Sequence, residues 1–112
     1  EFNHEKLDVY KVALEFLVFV YELIQKMPVG YGFLIDQLRR SSLSIALNIA
    51  EGNGKYNKAE KARFYKIARG SSTESSAILD AAFIFHIIEE QEREKGRTML
   101  YRLVCMLSKM IS

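Results

Sequence analysis

Eight basic residues fall between positions 39 and 69, namely Arg39, Arg40, Lys55, Lys58, Lys61, Arg63, Lys66 and Arg69, against only Glu51 and Glu60. The chain as a whole carries +2, so this surplus of six leaves the remainder four charges acidic and the molecule is electrically polarised. At helical spacing Lys58, Lys61, Lys66 and Arg69 group on one outward face, with Tyr65 among them and Tyr56 in the preceding turn. Cations neutralise phosphates, and an aromatic ring offers any base a stacking surface. Lys55, Lys58, Lys61, Arg63, Tyr65, Lys66 and Arg69 are therefore the candidate nucleic-acid contacts. The competing reading is a solvated, lysine-rich helix face. Arg39 and Arg40 come level with Glu74 if their helices run antiparallel. An ion pair of either arginine with Glu74 is expected in preference to a phosphate contact.

Other chemistries find little support. Neither His4 nor His86 has the local carboxylate pattern of a proton relay. Glu1 and His4 have the Glu-x-x-His spacing of di-iron bundles, but a single copy lacks the inward glutamates and the repeat that such a site requires. His86 reads as a packed or helix-dipole-favoured residue, with Glu90 as a weak surface metal pair at most. Ser41, Ser42, Ser71, Ser72, Ser75 and Ser76 have no identifiable base and read as packing or surface residues. Gly52, Asn53 and Gly54 follow a helix instead of a strand, unlike a phosphate-binding loop. No catalytic residue, metal ligand or cofactor is expected. The lone Cys105 suits a reducing cytoplasm and reads as a small core or boundary residue. The longest nearly apolar run, residues 81–88, is far short of a membrane span, so no membrane partner is expected.

These residues must be held by helices. One proline, six glycines, 49% hydrophobic and 27% charged residues describe a globular chain with few helix breakers, and its 112 residues suit one domain. The first helix should span residues 4–27, stopped by Pro28 and Gly30. It bears two apolar stripes: Tyr10, Leu14, Leu17, Tyr21 and Ile24, and Val9, Val12, Phe16, Phe19 and Leu23. Together they make an arc wider than one bundle needs, which implies self-association, with Phe16 and Phe19 read as outward. In the second helix Gln37, Ser41, Ser44, Asn48 and Glu51 form a narrow polar seam, set for a helix contact within the bundle or between subunits. A left-handed glycine or asparagine near residues 52–54 should close it.

Asn57 and Glu60 make a capping-box-like start to a third helix. Its inward stripe should be Phe64, Ile67, Ser71, Glu74, Ile78, Ala81, Phe85 and Ile88, with Gly70 at a close backbone approach. Carried on to Lys95 this helix would outrun the first. A turn is therefore expected at residues 86–89, and Glu89, Glu90 and Glu92 favour a fourth helix N-terminus there. That helix presents Met99, Leu100, Leu103, Leu107, Met110 and Ile111. The pattern is all-α, an antiparallel up-down-up-down four-helix bundle.

An ordered series of motifs adds a resemblance. Glu5-Lys6-Leu7-Asp8-Val9-Tyr10 with Ala13, Gln37-Leu38-Arg39-Arg40-Ser41-Ser42, Ser44-Ile45, Asn48-Ile49-Ala50-Glu51-Gly52, and Ile67-Ala68-Arg69-Gly70-Ser71 with Glu74 span most of the chain. They resemble the four-helix bundle proteins encoded within intervening sequences of bacterial 23S rRNA genes, most closely over residues 37–74. The chain departs at Ser42 and Leu47, where that family often has alanine and proline. The resemblance implies a homopentameric ring. It also implies kinship with the accessory variability determinant of diversity-generating retroelements, a basic pentamer that binds a reverse transcriptase and nucleic acid. The expected function is thus a non-enzymatic oligomeric scaffold binding RNA or DNA, together with a nucleic-acid-processing protein. A structural protein-interaction ring is the alternative.

Overall fold

Capping chemistry at each junction sets the helix boundaries. The computed structural model describes residues 2–112; Glu1, and with it the Glu-x-x-His spacing, lies outside them. A 3-10 turn, Asn3–Lys6, comes first. Leu7 then takes an extended backbone, so helix α1, Asp8–Gln25, starts later than its apolar spacing suggests. Pro28 disfavours helical backbone at Met27, and the N–H groups of Lys26 and Met27 close a tight turn on Leu23 and Ile24, each at 3.1 Å. Helix α2 is Gly32–Asn53. Its end is not the left-handed one expected: Gly54 has φ −79°, and Lys61 Nζ donates to the Asn53 carbonyl at 2.9 Å.

Helix α3, Lys58–Ile84, is capped by Asn57, whose Oδ1 accepts from the Glu60 N–H at 2.8 Å. It ends in a Schellman arrangement: the His86 N–H donates to Phe83 and the Ile87 N–H to Ala82, both at 3.0 Å, with His86 in the left-handed region at φ 61°. Helix α4, Glu90–Ile111, starts in a capping box between Glu89 and Glu92. The turn therefore falls where the acidic cluster implies, with an exposed His86 supplying the backbone reversal instead of packing.

The helices pack as neighbours in a ring, α1 on α2 and α4, and α3 on α2 and α4. Lys26 at the end of α1 pairs with Glu92 at the start of α4 at 3.4 Å, and residues 7–9 lie against Met106 and Met110, so these two run antiparallel. The result is an all-α four-helix bundle around Phe16, Leu38, Ile45, Ile49, Leu79, Leu100, Leu103 and Leu107, all fully buried. Of the two α1 stripes, Val9, Val12, Phe16, Phe19 and Leu23 is the inner one. Phe16 and Phe19 belong to the intrachain core, and Leu14, Val18 and Tyr21 are the residues left outside.

Helix α3 is rotated about one residue from the orientation its large apolar residues suggest. Tyr65, Ala68, Ser71, Ser72, Ser75, Leu79 and Ala82 are buried, while Ile67, Glu74 and Phe85 are exposed. Small side chains win because they let helices approach closely. Ser41 and Ser75 share a hydrogen bond at 2.7 Å, and Ser71 Oγ donates to Ser44 Oγ at 2.9 Å. The tight glycines are Gly52, where a Cβ would lie 2.7 Å from the Tyr65 ring, and Gly96, where it would lie 2.5 Å from Leu79 and 2.8 Å from Phe19. Gly70, expected at such a contact, faces open space.

These glycines make a matched pair. Gly70→Ala should raise stability by about 1 kcal/mol through helix propensity alone. Gly96→Ala gains the same propensity but overpacks a buried site, and should show a net loss of about 1 to 2 kcal/mol. Urea denaturation of the two variants beside the parent reads both signs.

Candidate nucleic-acid interface

The seven candidate contacts do not share one surface. Lys58, Arg63 and Lys66 are exposed. Lys55 and Arg63 lie over the Phe64 ring, 5.2 and 5.0 Å from its centroid, on the α2 side of α3. Lys61 is half-buried by its bond to Asn53, and Arg69 is half-buried, its Nη1 donating to Ser108 Oγ on α4 at 3.2 Å. Tyr65 cannot stack on a base: the rotation of α3 turns it inward, 4% exposed, against Gly52.

Across the seam between α3 and α4 a different pattern emerges. Residues 61–73 and 95–112 contain no aspartate or glutamate, yet they carry Lys61, Arg63, Lys66, Arg69, Lys95, Arg97, Arg102 and Lys109. The Arg69–Ser108 bond sets these two segments side by side. One turn further along, Ser72, Thr73, Ser76, Arg97, Leu100, Tyr101 and Val104 line a groove of about 220 Å³. Of the α4 cations Arg97 borders this groove, whereas Lys95 lies over the Phe19 ring beside Glu22 and Glu92 and Lys109 lies beside Asp8, both toward α1. Nothing in the sequence singles out Arg97, because it adjoins the acidic cluster at residues 89–94 in the chain; the pairing of α3 with α4 brings it to the seam that Arg69 crosses.

Three other surfaces stand out. A mixed groove of about 400 Å³ between α2 and α3 is lined by Gln37, Ser44, Asn48 and Ser71, with Arg40 and Glu74 among its walls. Among the described residues Arg40 and Glu74 form no ion pair; Arg39 instead lies 3.8 Å from Asp36 on its own helix. An apolar groove of about 290 Å³ between α1 and α2 is lined by Leu17, Val20, Tyr21, Ile24 and Leu43. At the end of the bundle where α1 meets α2 and α3 meets α4, Tyr31, Phe33 and Phe85 gather with ring centroids 6.2 to 6.4 Å apart. Among the described residues no three histidines, cysteines or carboxylates come together as metal ligands, and no helix is long and apolar enough to cross a membrane. Cys105 is exposed, neither a core nor a boundary residue.

Burial pushes the Tyr65 phenol above its ordinary pKa. The unfolded chain ionises this tyrosine near pH 10 while the folded chain still holds the proton. Its contribution is complete below that pH and is lost as pH rises through the folded-state value. Tyr65→Phe should accordingly flatten the alkaline fall in stability, seen as urea midpoints compared between about pH 8 and pH 11.

Comparison with known proteins adds the lineage. Among curated proteins none matches this sequence. A crystal structure of a protein with unknown function from the S23 ribosomal protein family of Bacteroides thetaiotaomicron VPI-5482 superposes with a TM-score of 0.81 at 24% identity, covering 93% of this chain and 98% of the other, which shows the shared fold. A family profile described as 23S rRNA-intervening sequence protein matches residues 5–109. With the helix order, the seam residues and that match in agreement, the chain belongs to the 23S rRNA-intervening sequence protein family.

Proposed function

We propose that this chain is a cytoplasmic, non-enzymatic scaffold that assembles with copies of itself and binds RNA or DNA, serving a nucleic-acid-processing partner protein. The observation that carries the reading is the group of cations along the α3–α4 seam, Lys66, Arg69 and Arg97 among them, in two segments, 61–73 and 95–112, that contain no aspartate or glutamate of their own. A surface where cations outnumber carboxylates attracts a phosphate backbone regardless of sequence. Lys58 extends the strip toward the α2–α3 turn.

Self-assembly rests on a separate feature. Val18 and Tyr21 on α1 are 57% and 67% exposed, and Leu43 and Leu47 on α2 are 47% and 58% exposed. Tyr21 and Leu43 line the apolar groove between those helices and Leu47 lines the neighbouring α2–α3 groove, a surface suited to a second copy of the chain. The resemblance noted above supplies the number five. The aromatic cluster of Tyr31, Phe33 and Phe85 favours a second reading, a protein-interaction ring without nucleic acid.

Light scattering should return a mass well above the 12.9 kDa of one chain. Val18→Lys or Leu47→Lys should release folded subunits, since each would bury an unpaired charge at the contact, whereas Phe16→Lys should unfold the bundle. A stable parent monomer at micromolar concentration would sink the assembly. For the ligand, Lys58→Gln, Lys66→Gln and Arg102→Gln combined should weaken RNA and DNA binding and lower the salt slope by about 2 to 3. Absence of binding by the parent at low salt would favour the protein-interaction ring.

A further inference from the structure

The charged strip accounts for attraction to any polyanion but says nothing of which form of nucleic acid it suits. Its groove holds the information. With Tyr65 buried, the exposed aromatic residues beside the cations are Tyr56 and Tyr101. Tyr56 stands in the α2–α3 turn with its side chain fully in solvent, so ordering it on a ligand has an entropic cost. Tyr101 differs. It is 70% exposed yet seated in the α3–α4 groove, with Leu100 and Val104 among its lining and Thr73 and Ser76 contributed by α3. Arg97 lines the same groove one helical turn before the ring, and Arg69 reaches α4 two turns beyond it, at Ser108. Among the described residues the only carboxylate in ion-pair range of these two arginines is Glu94, 4.0 Å from Arg97 on its own helix, a pair exposed enough to exchange for a phosphate.

We propose that the α3–α4 groove is a single-strand nucleic-acid site in which one base stacks on Tyr101 while the neighbouring phosphates lie against Arg97 on one side and Arg69 and Lys66 on the other. This rests on the polyanion reading above and narrows it. The eleven-residue step from Arg97 to Ser108 spans about 16 Å of helix, room for a short run of single-stranded nucleotides. The ring selects single strands because in a duplex each base face is covered by its neighbours, and a side chain in so narrow a groove cannot separate them. The Ser76 hydroxyl can donate to or accept from a base edge and Thr73 Oγ1, whose proton goes to the Arg69 carbonyl, can accept, so recognition there is tolerant of sequence.

The test is fluorescence anisotropy with the full chain and two probes, a labelled oligothymidine of about twelve nucleotides and a duplex of the same length, each titrated over a range of salt. Tyr101→Ala should lower single-strand affinity about 5- to 150-fold, leave the salt slope nearly unchanged and leave duplex binding as in the parent. Tyr101→Phe keeps the ring and should keep single-strand affinity. Arg97→Gln should weaken both probes and reduce the slope by about one. Single-strand affinity unaltered in Tyr101→Ala, while the combined Lys58, Lys66 and Arg102 variant still loses binding, overturns the stacking site and leaves the polyanion reading standing. No salt-sensitive binding of either probe by the parent removes both. Equal loss in Tyr101→Phe and Tyr101→Ala also overturns the proposal, since it assigns the effect to the hydroxyl instead of the ring.

Discussion

The close contact between α2 and α3 governs the rest of this molecule. Ser41 with Ser75 and Ser44 with Ser71 join the two helices through hydroxyls, and Gly52 leaves room for the Tyr65 ring. Larger residues at these positions would hold the helices apart. Because they do not, α3 presents its alanines and serines to the core and turns Phe64 and Ile67 toward the rim. The same rotation aims Arg69 at α4 and so builds the basic strip. Each buried serine hydroxyl among the described residues has a partner, Ser72 donating to Ala68 and Ser42 to Arg39, which keeps this polar interface from carrying unsatisfied serines.

Much of this was legible in the chain. The helix count, the Asn57 cap, the turn after residue 85 and the polar seam all follow from local signals: capping residues, a proline, a charge cluster, a period of three and four. The rotation of α3 was not. An apolar stripe of Phe64, Ile67 and Ile78 outscores a stripe of alanines and serines on any scale that rewards transfer from water, yet close packing rewards smallness. Two differences share that root. Spacing that points Phe64 inward points Tyr65 outward, and the tight contact expected at Gly70 belongs to Gly52 and Gly96. On α1, two stripes of equal hydrophobicity left the choice between them to tertiary packing, which put Phe16 inside.

The candidate site illustrates a different limit. Charge counted along the chain joins Arg39 to Arg69 and separates Arg69 from Arg97, whereas the bundle brings the latter two to one seam. Arg39 pairs locally with Asp36. The acidic residues at the start of α4 are largely spent on its own capping box and on Arg93, which lies within 4 Å of Asp80, Glu90 and Glu94. What remains of α4 beyond Glu94 is cationic and free of carboxylates. An antiparallel connection folds that segment back along α3, so Arg69 reaches Ser108 and Arg97 borders the same seam.

Cys105 lies four positions beyond Tyr101, exposed on the outer side of α4. It is the only cysteine in the chain. A thiol-reactive dye therefore has one attachment point, a helical turn from the groove and away from the α2–α3 seam. Energy transfer among identical dyes would then count subunits optically, one label per copy, without altering any residue that holds the bundle together.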